Sequence, residues 1–179
     1  MEIQFVTDYF IMSLVAPADV RDLHQLRTNP EVCKFFYRDL NKTEQDTALF
    51  VEDRVKDAML KASFYFTIRS AGNLDLMGTA CLWRIDYHNQ YAEVGYELLP
   101  HYQGKGIMSK ALQQVLQFGF EDLNLNTIEA YTHRENTHSI KLLKRNYFEL
   151  VAGKKDPDEE NNIVYQLNAA TFSSPAKSV

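Results

Sequence analysis

Apolar positions along this chain keep two distinct periods. The longest helical one begins at Ile107. Ile107, Ala111, Val115 and Gly119 fall on one row, and Met108, Leu112, Leu116 and Phe120 on the row beside it. Lys105, Lys110, Gln113, Gln114, Gln117, Glu121 and Asp122 take the opposite side, so the stretch predicts an amphipathic helix. A second helix follows Pro17 through Val20, Leu23, His24 and Arg27, and Asn29-Pro30 breaks it. A third carries Leu49, Phe50, Val55, Met59 and Leu60 behind a Thr43/Asp46 cap. A fourth, short, runs over 136–145 with Ile140 and Leu143 inward. β-Branched and aromatic runs predict strands over 4–15 (centred on 10–14), 64–69, 76–85, 92–98, 127–132, 147–151 and 163–167. The apolar patch 32–37 fits neither period. Ala71-Gly72-Asn73, His88-Asn89-Gln90 and the acidic 156–162 are turns.

The order of these elements sets the topology. Short turns between the early strands imply antiparallel neighbours. The helix between 92–98 and 127–132 implies that those two strands are parallel. The chain is therefore an α/β protein of the α+β kind, with a mixed, mostly antiparallel central sheet of six to seven strands. A doubly wound dinucleotide fold would instead open on its glycine loop and continue in parallel units. One domain is expected over 1–168. Residues 169–179, small and polar with a proline and several serines, are expected to form a flexible C-terminal tail.

Composition narrows the function classes. At 179 residues and 45% hydrophobic, the chain can bury a sizeable core. A net charge of −5 argues against general nucleic-acid binding and mildly favours cationic substrates. Cys33 and Cys81 lie far apart, outside any C-x-x-C pattern, and are expected as free thiols in a reducing compartment. No apolar run reaches membrane-spanning length, and Met1-Glu2-Ile3-Gln4 lacks a basic signal-peptide start, so a cytoplasmic protein without a membrane partner is expected. The five histidines show no metal-ligand spacing; His133 and His138 do not align on a helix, and no metal is expected. Oligomeric state is open, a homodimer being compatible with the sequence.

The candidate chemistry centres on 93–109. Gly104 and Gly106 permit a tight turn that brings backbone N–H groups toward a ligand at the start of the long helix, a ready phosphate site. Lys105 lies between the glycines, unlike a P-loop lysine, and Ser109 stands where a dinucleotide fingerprint needs its third glycine. An ordinary strand–helix turn and an acyl-CoA pyrophosphate loop remain. The run His101-Tyr102-Gln103-Gly104-Lys105-Gly106 resembles the acetyl-CoA signature Q/R-x-x-G-x-G/A of the GNAT N-acetyltransferase superfamily, departing from it at His101. Asn136, Ser139 and Phe148 match a later signature of that superfamily, with Tyr147 where glycine is usual, so that Asn146 is expected to take the left-handed turn. The resemblance spans roughly 8–168 and is greatest to the branch of ribosomal-protein N-terminal alanine and serine acetyltransferases.

The resemblance implies the GNAT fold, with helices on both sheet faces and the strands 92–98 and 127–132 splayed apart. It implies acetyl-CoA as cosubstrate and transfer to a primary amine, of a protein N-terminus or a small molecule. By the same resemblance the cofactor is held by Leu98, Leu99, Gln103, Gly104, Lys105, Gly106, Ile107, Met108 and Asn136, with the Leu98 N–H at the oxyanion. Glu93 is implied as general base and Ser139 as the group near the sulfur. Glu97 shares the strand face of Glu93 and is the second candidate base. Each has a bland alternative: a solvated glutamate or one ion-paired with Lys or Arg, and a helix cap at Asn136. The tyrosine acid common in the superfamily is replaced by Leu143, which leaves Tyr131 as a fallback donor. Trp83 and Phe64-Tyr65-Phe66 read as core, with a substrate wall as the secondary reading. A base matters most for a lysine amine, which titrates near 10.4, and less for an α-amine near 8. A non-catalytic CoA-binding or regulatory module, and an enzyme using another acyl donor, are the alternatives.

Overall fold

A computed structural model of the chain describes residues 3–36 and 38–172. Its centre is an eight-stranded sheet in the spatial order β1-β2-β3-β4-β5-β6-β8-β7. The strands are β1 Gln4–Val6, β2 Phe10–Leu14, β3 Phe64–Ser70, β4 Leu76–Asp86, β5 Tyr91–Leu98, β6 Thr127–His133, β7 Glu149–Leu150 and β8 Asn162–Asn168. Every adjacent pair is antiparallel except β5 with β6. The helices are α1 Val20–Arg27, α2 Glu44–Met59, α3 Ile107–Gln117, α4 Thr137–Arg145 and α5 Ala169–Phe172.

Side-chain alternation on the strands assigns the helices to two faces. On β3, Phe64, Phe66 and Ile68 join one buried cluster with Ala111, Leu112, Val115 and Leu116 of α3 and Leu143 of α4. Tyr65 points the other way, into a second cluster with Leu23 and Leu26 of α1 and Val51 of α2. Helices thus cover both faces, as the resemblance implied.

Several sequence expectations need correction. The opening strand is two strands, because Thr7 Oγ1 both donates to Phe10 O and accepts from Phe10 N (3.0 Å each) and folds the chain into a hairpin. That division gives eight strands where six to seven were expected. The Thr43/Asp46 capping box forms, but the inward row of α2 is Thr47, Val51 and Ala58, while Leu49, Met59 and Leu60 are exposed. The patch 32–37 holds a short 3-10 turn, Val32–Phe35, with Tyr37 outside the described residues. Within the expected tail, Ala169–Phe172 is a helical turn whose Phe172 packs on Phe120; 173–179 lie outside the described residues.

The left-handed position after α4 falls on Tyr147 (φ 64°), not on Asn146. The Asn146 amide is engaged instead: its Nδ2 donates to Leu142 O (2.9 Å) and Ser109 Oγ (3.3 Å), which ties α4 to the start of α3. Tyr147 takes the unfavourable backbone with its side chain exposed.

The feature that makes a site is the relation of β5 to β6. They pair only through Tyr91–Thr127, Ala92–Ile128 and Glu93–Glu129. Beyond Glu93, β5 stays in register with β4 down to Leu98–Gly78, and β6 stays in register with β8 to His133–Asn162. Each strand follows its own partner through the twist of the sheet, and the two draw apart.

Candidate active site

The divergence opens a cleft lined by Val94, Gly95 and Tyr96 of β5 and by Ala130, Tyr131, Thr132 and His133 of β6. Asn136 and Ser139 of α4, Phe35, Phe36 and Asn162 complete the lining. Backbone alternation decides which groups face it. Leu99 N donates to Met77 O (2.9 Å), so residues 93, 95, 97 and 99 direct their backbone groups at β4. Val94, Tyr96 and Leu98 therefore direct theirs into the opening, where no strand meets them. The Leu98 carbonyl is occupied by the Gln103 Nε2 amide (2.9 Å), which leaves its N–H. Leu99, also expected at the cofactor, has both backbone groups engaged, the second by Tyr102 N (3.0 Å), and its side chain packs on the α1/α2 cluster.

The glycine loop lies at the end of β5. Gly104 and Gly106 are left-handed (φ 74° and 76°), and a Cβ at either would meet nothing within 4 Å. The backbone angle, not crowding, requires glycine, and the space in front of the loop is open. Gly106 is the N-cap of α3 and contributes no side-chain cap. The first intrahelical bond is Lys110 N to Gly106 O, so the N–H groups of Ile107, Met108 and Ser109 have no partner within the helix. Met108 is buried, Lys105 lies over the Tyr102 ring (5.8 Å), and exposed His101 stacks on Tyr102 (4.0 Å). This arrangement suits a pyrophosphate held by backbone amides.

On the α3/α4 face of the cleft, Asn136 Oδ1 accepts from Ser139 N (3.1 Å) as the cap of α4. Ser139 Oγ lies 2.8 Å from the Tyr96 hydroxyl; Ser139 is buried and Tyr96 half-buried. Burial pushes the Tyr96 phenol up, so it stays protonated and can donate. Sequence reading missed Tyr96. A signal existed, since Tyr96 shares the strand face of Val94 and Leu98, but its partner is 43 positions away.

On the opposite face lie three acidic groups, each with a cation. Glu97 accepts both Arg38 Nη groups (2.6 and 2.8 Å). Glu93 is 3.2 Å from Arg84 and 3.4 Å from the Tyr91 hydroxyl. Glu129, its neighbour across the β5–β6 pairing, accepts from Lys154 (2.6 and 2.8 Å), Tyr91 (2.8 Å) and Tyr131 (3.0 Å). Arg84 reaches Glu93 from a β-bulge in β4, at φ 49°, and also pairs with Asp158. Burial raises the Glu93 carboxyl above the usual carboxylate range against the opposing pull of Arg84. Glu93 and Glu97 share a face, as expected, and among the described residues neither lines the cleft itself. Tyr131 lines it but donates to Glu129 on the face away from Ser139. Both cysteines are free thiols; burial pushes Cys81, beneath Gly95, up to about 12.

A larger cavity of about 320 Å³ lies between β7, β8 and α5, lined by Tyr147, Leu150 and Gln166 among others, and contains none of the expected residues. Among the described residues no group of three or more His, Cys, Asp or Glu could hold a metal ion, and no helix is long and apolar enough to cross a membrane.

A family model described as an acetyltransferase (GNAT) domain matches residues 10–149. The uncharacterized N-acetyltransferase p20 of Bacillus licheniformis is 36% identical over 130 residues, 70% of each chain. Among solved structures, the ribosomal-protein-S5-alanine acetyltransferase of Vibrio fischeri superposes with a TM-score of 0.85 at 20% identity, over 95% of this chain and 98% of that one. The spermidine N-acetyltransferase of Vibrio cholerae, in complex with CoA and spermine, superposes with a TM-score of 0.77 at 19% identity, over 93% and 99%.

The Arg38–Glu97 pair generates a stability prediction. Both side chains are largely buried, so Arg38→Ala leaves an uncompensated carboxylate and should destabilise the fold by about 3 kcal/mol in urea unfolding. Adding Glu97→Gln should recover part of that loss. A double variant no more stable than Arg38→Ala would mean that the two side chains are not energetically coupled.

Proposed function

The chain belongs to the GNAT acetyltransferase family, and from that premise we propose that it transfers an acetyl group from acetyl-CoA to a primary amine of a protein N-terminus or a small molecule. The observation that carries this is the divergence of β5 from β6, with free backbone edges between the glycine loop and Ser139. Relatives of similar fold act on amines by name: a ribosomal-protein alanine acetyltransferase and a spermidine acetyltransferase, the latter with CoA bound.

The residues present fit the cosubstrate. The open glycine cradle and the uncapped start of α3 would hold the pyrophosphate through backbone N–H groups of 103–108. The inward-facing backbone of 94–98 would pair with the amide-bearing arm. Bound acetyl-CoA supplies an activated thioester carbonyl. The Leu98 N–H stabilises negative charge developing on the carbonyl oxygen. Glu93 takes a proton from the amine through a water, since it sits behind the cleft rather than in its lining. As the C–N bond forms and the C–S bond breaks, the Ser139 hydroxyl donates a hydrogen bond to the departing sulfur, which leaves as the thiolate and takes its proton from solvent. The Tyr96 hydroxyl donates to Ser139 Oγ and orients that hydrogen bond, keeping its own proton. Asn136 fixes Ser139 through its N–H. The Ser139–Tyr96 contact in the cleft lining favours catalysis over a purely CoA-binding module, because cofactor binding alone does not require it.

Three measurements test these roles. Gly104→Val forces a β-branched residue to a positive φ, a strain of about 1–3 kcal/mol, and should weaken acetyl-CoA binding by about tenfold or more in calorimetry. Unchanged affinity in the folded variant would remove the loop from the site.

Ser139→Ala should lower kcat by about 10²-fold and Tyr96→Phe by about tenfold, with KM for acetyl-CoA little changed in both. A change confined to KM would make the pair a binding element only.

Glu93→Gln should cost about 10²–10⁴-fold in kcat and abolish the acidic limb of the pH–rate profile. In the wild type that limb should lie above the ordinary glutamate range, because burial raises the carboxyl and the base is ionised only at higher pH. A near-normal kcat and an unaltered profile would exclude Glu93.

A further inference from the structure

We infer that the acceptor is a singly charged primary amine carrying a flat apolar group near its nitrogen, and that polyamines are poor acceptors. The inference rests on the transferase reading above and concerns the same cleft. With Ser139, Asn136 and the glycine loop all serving the donor from the α3/α4 side, the acceptor must approach the thioester from the other side. That wall is aromatic: Phe35, Phe36, Tyr131 and His133, with Phe35 and His133 in ring contact (5.5 Å between centroids, 32° between planes). Such a wall favours a flat apolar body by offset stacking and edge contacts.

The charges around the wall set the rest. Lys34 Nζ lies over the Phe35 ring (5.3 Å) and Arg38 Cζ over the Phe36 ring (5.5 Å), so both rings already carry a cation from this chain. The three acidic groups behind the wall are closed, Glu97 by Arg38, Glu93 by Arg84 and Glu129 by Lys154. Among the described residues the cleft lining contains no carboxylate. The reacting amine loses its charge before attack and needs no counter-ion. The further ammonium groups of a polyamine do need one, and they meet Lys34 instead. The inferred preference thus differs from that of the relative named for spermidine, despite the shared fold.

Thiol release can be followed at saturating acetyl-CoA with phenethylamine, a peptide beginning with Phe, the same peptide beginning with Ala, and spermidine. The expected order places at least one aromatic amine about tenfold or more above both spermidine and the Ala peptide in kcat/KM. Preference for the Phe peptide would identify a protein N-terminus as the source of the amine, and preference for phenethylamine a free arylalkylamine. Phe36→Ala, at an exposed ring, should raise KM for the aromatic amine with the affinity for acetyl-CoA unchanged. Lys34→Glu, at an exposed position, should raise kcat/KM for spermidine. Spermidine equal to or better than the aromatic amines, or Phe36→Ala without effect on KM, overturns the inference and leaves the transferase reading standing. No transfer to any of the four amines, with acetyl-CoA binding intact in calorimetry, counts against both.

Discussion

The structure depends on one unmet requirement of the backbone. Peptide groups inside a sheet must find partners, and one left buried without any costs about 1–3 kcal/mol. β5 and β6 share three residue pairs and then part, each held on its outer edge by a complete ladder to another strand. Neither can close the gap without giving up that ladder. The inward groups of 94–98 thus lead from the serine–tyrosine contact at Tyr96 toward the phosphate-suited helix start that follows β5.

The two sheet faces divide the chemistry. Residues 92, 94, 96 and 98 turn toward α3 and α4, where the donor would lie; 91, 93, 95 and 97 turn toward α1, α2 and the ion pairs. A shift of register by one residue would exchange the two sets. The acidic groups on the second face are individually compensated, which keeps the opening free of strong unpaired charge. It also means that Glu93 sits in two fields, desolvation raising it and Arg84 lowering it, with the first prevailing.

How far the sequence reveals this depends on the range of the interaction. The glycine loop and α3 are legible because positive φ and a 3.6-residue period are local demands. The parallel pairing of β5 with β6 follows from one intervening helix. The hairpin at Thr7 escaped notice because a side-chain hydrogen bond, not a glycine or proline, makes the turn. Asn146 has the better propensity for a left-handed backbone, yet Tyr147 takes it, because the Asn146 amide is held by Leu142 and Ser109. Tyr96 and Arg38 gain their meaning from partners 43 and 59 positions away, and Arg38 lies in an irregular stretch with no period to read. Of the site residues carried over by resemblance, Asn136 and Ser139 line the cleft, Leu98 ends β5 and 103–108 lie in the loop and helix start that follow, the Leu99 backbone is already paired, and Glu93 stands behind the lining.

The bond from the Gln103 side chain to the Leu98 carbonyl (2.9 Å) ties the glycine loop to the end of β5. Gln103 belongs to the loop suited to the nucleotide end, and Leu98 to the strand suited to the reacting end. Leu98 thus lies between the loop, which holds its carbonyl, and the opening, which its N–H faces. On the proposed reading, the grip on the far phosphates is transmitted as alignment of the donor that faces the carbonyl. Remote binding energy then appears in the rate and not only in the affinity. An acetylated pantetheine lacking its nucleotide would be a slow donor even at saturation, and the enzyme would in this way distinguish whole coenzyme from its fragments.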